Sequence, residues 1–161
     1  MAGFARYTAV LDACVLHGNL HSDALMSLAT AELFAAKWSE RIEDEWMRSV
    51  KRSRPDLADD KVQRRRDAMR AAVPDWEVSE RVIAQLLPGL TLPDANDRHV
   101  LAAAIAGHAD CIVTRNLKDF PQGVLADFGV EALHPDRFIV CQWDLSPYQT
   151  ISALKKMRAR L

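Results

Sequence analysis

Two aspartates stand at positions where the local sequence pattern points to chemistry. Asp12 directly follows the apolar run Thr8–Leu11 (TAVL), which predicts a buried strand. Asp97 lies in the first turn of a helix predicted over residues 95–108, on the apolar face that includes His108 and should point inward. Because burying a lone carboxylate is costly, each should be capped, paired with a cation or bound to a metal.

Two other parts of the chain could bring oxygen ligands to the same place. Glu45 flanks the apolar stripe of a helix predicted over residues 39–52. The loop after a second apolar run, CIVT, carries Asn116 and Asp119. Since ligands collect at the carboxyl ends of parallel strands, we expect Asp12 and this loop to lie together.

Such a cluster of carboxylates would be self-repelling, because no Lys or Arg partner is evident for it. A divalent cation removes the repulsion, and ligands that are all oxygen suit Mg²⁺ or Mn²⁺. Mg²⁺ uses few carboxylates, which leaves room for a phosphate oxygen and an attacking water. The predicted chemistry is therefore metal-dependent hydrolysis of a phosphodiester.

Each acid also has a purely structural interpretation. Asp94 and Asp97 could be an N-cap and a first-turn acid that the helix dipole favours. Glu45 could belong to a run of solvated acids whose other members are Glu40, Glu43 and Asp44. Asp12 carries the strongest single signal, because it closes a buried strand.

The elements that must position these acids alternate between strand and helix. Strands are predicted at TAVL, at CIVT and around residues 130–133, whereas residues 33–38 can finish a helix or form another strand. Helices are predicted within residues 14–36, 39–52, 57–73, 79–87 and 95–108, and from residue 136 onward. This alternation favours an α/β fold with three layers (α/β/α) around a parallel sheet of four or five strands.

Length and composition narrow the class of protein. The 161 residues suffice for one domain with its own core, and 49% apolar with 27% charged residues is ordinary globular composition. The net charge of −1 predicts no partner by itself. No apolar run reaches the roughly 20 residues that span a bilayer, and the first ten residues lack the features of a secretion signal. We therefore expect a cytoplasmic protein without membrane contact, whose three cysteines are reduced.

A basic stretch accompanies the acids. Residues 48–70 hold nine Lys and Arg residues against four acids. The simplest interpretation is a solvated helical face. The functional interpretation is a phosphate-contacting rim, since an acidic pocket alone would repel a nucleic acid. The candidates for binding a nucleic acid on this second interpretation are Arg64, Arg65, Arg66 and, in the loop after CIVT, Arg115.

The order of these pieces resembles the PIN-domain nucleases, and in particular VapC-like toxins. An aspartate closes the first strand (VLDACVL), a helical acid follows within WSERIEDE, and the block PDANDRHVLAAAIAGHADCIVTRNLKDFP is the most specific part. The resemblance covers about residues 8–133. Because the ending HPDRF and its basic helix are similar to an extension in one subgroup, we expect a nuclease domain at 1–133 and a C-terminal helical extension at 134–161.

The resemblance implies a Mg²⁺- or Mn²⁺-dependent endoribonuclease whose acids cluster in one pocket. Carried over by position, the first three acids are Asp12, Glu45 and Asp97. Family members often place the fourth where this chain has Asn116, whose carbonyl can ligate but brings no charge. Either Asp119 takes over or a second metal binds weakly. The predicted catalytic set is thus Asp12, Glu45, Asp97 and Asp119, with Asn116 as a further metal ligand.

The resemblance also implies partners. RNA would be the substrate, and a protein antitoxin encoded nearby would silence a growth-arresting toxin; a homodimer is a further option. Two other functions stay open at this point. One is a metal-dependent phosphoesterase acting on DNA or a small phosphate ester, and the other is a degenerate PIN-like module that binds RNA or protein.

Overall fold

Four short parallel strands form one sheet in a computed structural model, which describes residues 6–161. The strands are β1 (Thr8–Leu11), β2 (Ala35–Lys37), β3 (Cys111–Val113) and β4 (Glu131–Leu133), and their order across the sheet is β2-β1-β3-β4. The α/β class and a parallel sheet of four strands are confirmed. The prediction that the first ten residues lack a secretion signal falls partly on residues 1–5, which lie outside the described residues.

Helices occupy most of the remaining described chain. Within residues 6–161 they are α1 (Ala13–His17), α2 (Asn19–Thr30), α3 (Glu40–Ser53), α4 (Asp59–Ala72), α5 (Glu80–Leu86), α6 (Arg98–Ala106), α7 (Gln122–Leu125), α8 (Pro135–Leu145) and α9 (Pro147–Ala159). None of these described helices has the length and apolarity needed to cross a membrane.

The centre of the sheet is covered on both faces. Successive strand residues point to opposite faces, yet every residue from Ala9 to Leu11 in β1 and every residue of β3 is fully buried. Helix α6 packs on β1 and β3, and its run Val100–Ala104 is buried. Burial on both faces explains why the two central strands are continuous apolar runs rather than alternating ones.

Helix α3 forms where the sequence predicted it. The Ser39 hydroxyl accepts a hydrogen bond from Ile42 N at 3.2 Å and caps the helix. Its apolar stripe, which comprises Ile42, Trp46 and Val50, is buried in the core. The opposite face carries the charges, so the helix is amphipathic and presents Glu45 at the border between the two faces.

In one segment the structure decides between two predicted elements, and in another it differs from the prediction. Residues 33–38 supply strand β2, which pairs with β1, rather than the end of a helix. The helix predicted over residues 95–108 is a 3₁₀ turn (Ala95–Asp97) followed by α6. His108 lies beyond α6 with φ of 51° and is exposed, so its predicted place on the inward face is wrong.

The last two helices pack against the rest of the chain. Phe138 of α8 stacks edge-on against Phe34, with ring centroids 4.8 Å apart. Helix α9 packs along α2. The break predicted at Pro147 separates the two helices, because proline opens a helix well but cannot continue one.

Candidate active site

Asp12 is the most buried acid of the candidate site. It ends β1 and caps α1, and its Oδ1 accepts a hydrogen bond from Ala13 N at 2.7 Å. Its own N donates to the Val113 carbonyl of β3 at 3.1 Å. Burial raises the pKa of Asp12 and the negative charge of Glu45 raises it further, while hydrogen bonds to the carboxylate, chiefly from Thr114, oppose the rise.

Thr114 holds the second oxygen of Asp12. Its buried hydroxyl donates to Asp12 Oδ2 at 2.8 Å and accepts from Asn116 N at 3.0 Å. Cys14 Sγ lies 3.4 Å from the same Asp12 oxygen and accepts from Arg115 N at 3.3 Å. Thr114 was not among the residues predicted from sequence, although a hydroxyl at the end of the strand beside β1 is the signal that could have found it.

Asp97 lies close enough to the other acids for their negative charges to affect its pKa. It ends the 3₁₀ turn before α6 and is partly buried. Burial raises its pKa to about 6, and the negative charges of Asp12, Asp94 and Asp119 contribute, partly offset by His99. Three of the four predicted catalytic acids therefore share one electrostatic environment.

Glu45 reaches the site from α3 through a contact with α6. Its Oε1 lies 2.8 Å from Nε2 of His99, whose side chain is 1% exposed, and 3.7 Å from Nε of Arg41. The short contact to His99 is not aligned with a ring N–H, and neither ring nitrogen has a hydrogen-bond partner among residues 6–161. The contact places the Glu45 carboxylate beside His99, which lies two residues along the chain from Asp97.

The loop after β3 carries the fourth candidate ligand. Asn116 is exposed, and its backbone N is held by the Thr114 hydroxyl. Asp119 ends a 3₁₀ turn, donates its N to the Asn116 carbonyl at 3.0 Å and is half-buried. The negative charge of Asp119 contributes to the raised pKa of Asp97, so the two carboxylates lie near one another.

The donors suit a hard divalent cation in kind but do not form a closed cage. They are carboxylate oxygens and one amide oxygen, the set that Mg²⁺ and Mn²⁺ prefer. Within the described chain, no three His, Cys, Asp or Glu side chains lie close enough to hold one ion. Binding would require the carboxylates to draw together, and a cation's charge favours that movement.

The three successive arginines of α4 have different surroundings. Arg64 and Arg66 pair with Asp60 and Asp67 of the same helix at 2.5 and 3.0 Å. Arg65 lies with its guanidinium 4.9 Å from the Trp46 ring centroid, and it donates to the main chain at the end of α1. Arg65, one of the predicted nucleic-acid contacts, is therefore engaged in packing within the protein.

Arg115 turns from the loop after β3 toward the start of α2. Its guanidinium contacts Nδ1 of His21 at 2.6 Å, and Nε2 of His21 contacts Asp136 of α8 at 2.8 Å. A Cβ at Gly18 would lie 2.9 Å from the Arg115 guanidinium, so the absence of a side chain there leaves room for it. The loop that carries Asn116 and Asp119 is thus tied to α8.

Glu43 is not one of a run of solvated acids. Its side chain is 2% exposed, and it pairs with Arg70 of α4 at 2.5 Å. It also accepts a hydrogen bond from Trp38 Nε1 at 3.1 Å. Glu43 therefore joins α3 to α4, whereas its neighbour Glu45 belongs to the candidate site.

Comparison with known proteins shows which family the chain belongs to. The model of the PIN domain family matches residues 8–118, which is more than half of the chain. The Putative ribonuclease VapC50 of Mycobacterium tuberculosis is 55% identical over 49 residues, a segment that spans 30% of this chain and only 29% of that protein. No solved structure matches. On the extent of the family match, the chain belongs to the PIN-domain family.

Proposed function

We propose that the protein is a metal-dependent endoribonuclease that hydrolyses RNA phosphodiester bonds. The observation that carries this proposal is geometric: α6 packs on β1 and brings Asp97 near the buried Asp12, and burial together with the charges of Asp12, Asp94 and Asp119 raises the pKa of Asp97 to about 6. A group of partly buried acids that repel one another is the arrangement a divalent cation would stabilise. The name of the partly matched relative, a ribonuclease, is consistent with this activity.

Asp12 and Asp97 would be the principal ligands of Mg²⁺ or Mn²⁺, with Glu45 and Asp119 beside them and Asn116 as a neutral ligand. When bound, the cation would neutralise the cluster and polarise the phosphate and the attacking water. The protein's own part is positional. Thr114 would orient Asp12 through the 2.8 Å hydrogen bond, and Glu45 would act from its position 2.8 Å from His99.

The direct test measures cleavage of a panel of single-stranded RNA, double-stranded RNA and DNA with Mg²⁺, Mn²⁺ or EDTA. We expect cleavage of RNA that requires the metal. Asp97→Asn should abolish it, whereas Asp94→Asn should retain it, because Asp94 serves as the N-cap and its side chain accepts from Asn96 N at 2.8 Å. Metal-dependent cleavage of DNA or of small phosphate esters, with RNA left intact, would favour the phosphoesterase alternative.

A specific observation favours a second candidate, the degenerate module. Asn116 stands where family members often have an acid, and no three ligating side chains of the described chain are close enough to share an ion. Titration of the protein with Mn²⁺ by calorimetry separates the two functions. Binding that is lost in Asp12→Asn supports the enzyme, and the absence of any binding at millimolar Mn²⁺ supports the module.

A toxin role follows as the next part of the proposal. A ribonuclease that acts on cellular RNA would harm its own cell, so it would need a protein inhibitor encoded nearby. Such an antitoxin could place an Arg or Lys among Asp12, Glu45 and Asp97, replacing the charge of the metal. We expect controlled expression to arrest growth and mapped RNA ends to reveal the cut sites. Harmless overexpression and no partner in pull-downs would contradict the toxin role but not the nuclease.

A further inference from the structure

A cationic groove opens directly beside the candidate active site. It has a volume of about 580 Å³. We call it the α3 groove, and it is lined by Arg41, Glu45, Arg48, Lys51, Arg52 and Asn96. Two of its lining residues connect it to the acids. Glu45 is itself a predicted ligand, and Asn96 precedes Asp97 in the chain.

The groove follows from the amphipathic pattern of α3. Residues 41, 45, 48 and 52 recur at intervals of four, three and four, so they form one stripe along the helix. At 1.5 Å per residue, the stripe from Arg41 to Arg52 extends about 16 Å. The buried stripe of Ile42 and Trp46 lies on another face, which leaves the basic stripe in contact with solvent.

The Arg and Lys side chains of the α3 groove form few contacts with the rest of the protein. Arg41 lies 3.7 Å from Glu45, Lys51 lies 3.1 Å from Asp59, and Arg48 donates to the carbonyl of Asp44 in its own helix. Among residues 6–161, Arg52 forms no ion pair. This differs from Arg65 of α4, which packs on Trp46.

We propose that the α3 groove binds the backbone phosphates of single-stranded RNA next to the bond that is cut. This inference rests on the proposed ribonuclease function. A phosphodiester that approaches Asp12 and Asp97 is repelled until a cation neutralises them, so adjacent positive charge is needed to retain the strand. The α3 groove supplies that charge where the acidic cluster ends, at Glu45.

An RNA strand fits the groove better than an acidic peptide does. Arg41, Arg48 and Arg52 present planar guanidinium groups, which bind phosphate oxygens in pairs. A regularly charged strand can contact the whole stripe and continue into the acidic cluster, where its cleavage is proposed. An acidic peptide would meet the same repulsion at that end without offering a phosphodiester for the proposed cleavage.

Helix α3, rather than the arginines of α4, should therefore make the main contacts with RNA. The test uses fluorescence anisotropy with a labelled single-stranded RNA in EDTA, which prevents cleavage, at several salt concentrations. Arg48→Gln together with Arg52→Gln should weaken binding about tenfold or more and make the slope of log K against log salt shallower by about 1.4. Arg137→Gln with Arg158→Gln is the matched control, because it removes the same charge from exposed arginines of α8 and α9.

The outcomes separate this inference from the proposed function. Equal losses in the two double variants would overturn the groove while leaving the nuclease intact. Groove-dependent binding without metal-dependent RNA cleavage would retain the groove and contradict the nuclease. No RNA binding by the unaltered protein in EDTA would overturn the groove, and the cleavage assay with Mg²⁺ or Mn²⁺ would then test the nuclease separately. A polyglutamate peptide that binds the groove as tightly as RNA would overturn RNA as its occupant.

Discussion

Glu43 is buried and Asp97 is partly buried, but the charges around the two carboxylates differ in sign. Glu43 is paired with Arg70 and accepts from Trp38 Nε1, so its charge is compensated within the fold. Among the described residues Asp97 has no such partner: burial raises its pKa to about 6, and the negative charges of Asp12, Asp94 and Asp119 contribute to the rise. A buried acid with a guanidinium partner holds helices together, whereas one among other acids is a candidate for chemistry.

The sharpest test of this contrast removes the charge of the uncompensated acids. Asp12→Asn and Asp97→Asn should each lower RNA cleavage by about a hundredfold or more, since changes even outside the ligand shell cost ten- to a hundredfold. The melting temperature without metal should stay level or rise, because a repelling charge has been removed. Cleavage close to that of the unaltered protein in either folded variant would remove that residue from the site.

Breaking the compensated pair should affect stability and spare activity. Arg70→Ala leaves Glu43 buried without its partner and should cost about 3 kcal/mol of unfolding free energy. For a chain of this size the melting temperature should fall by about 10 °C. Arg66→Ala is the control, because its partner Asp67 is 63% exposed and stays solvated when the pair is broken, so the change should cost under about 0.5 kcal/mol. Equal effects of the two changes would show that Glu43 is not held as described.

The acidic cluster should also give stability a dependence on pH. The pKa of Asp97 is about 6 in the folded protein, above its usual value of 3.8, so the folded state binds the proton more tightly. In EDTA, stability should therefore rise as the pH falls from about 7 toward 4. The difference in melting temperature between the unaltered protein and Asp97→Asn, followed across this range, isolates the contribution of this residue. A difference that does not change with pH would contradict the shared environment of the acids.

The smallest expected effect distinguishes the two loop ligands. Asp119→Ala should raise the Mg²⁺ concentration needed for half-maximal cleavage more than Asn116→Ala does. Only Asp119 carries a negative charge, and that charge contributes to the raised pKa of Asp97. Both residues lie in the same loop, so each variant controls for disturbance of its backbone. The reverse ranking would assign the ligand position to Asn116 and leave Asp119 as a turn residue.

Several features of this protein follow from sequence alone because their causes are local. TAVL and CIVT are apolar on consecutive residues, which requires strands buried on both faces. The Ser39 cap and the stripe that includes Trp46 specify α3. Asp12 is placed at the end of β1 by chain order. These signals act over a few residues, so the sequence pattern contains the whole of the physical cause.

Other features depended on contacts between distant parts of the chain. By local pattern Glu43 and Glu45 are equivalent helical acids, but Arg70, 27 positions away, pairs with Glu43, while His99 contacts Glu45. Thr114 reaches Asp12 across 102 positions only because β1 and β3 are neighbours in the sheet. The burial, pairing and charge of a side chain depend on which elements pack against it, and the tertiary structure alone decided that.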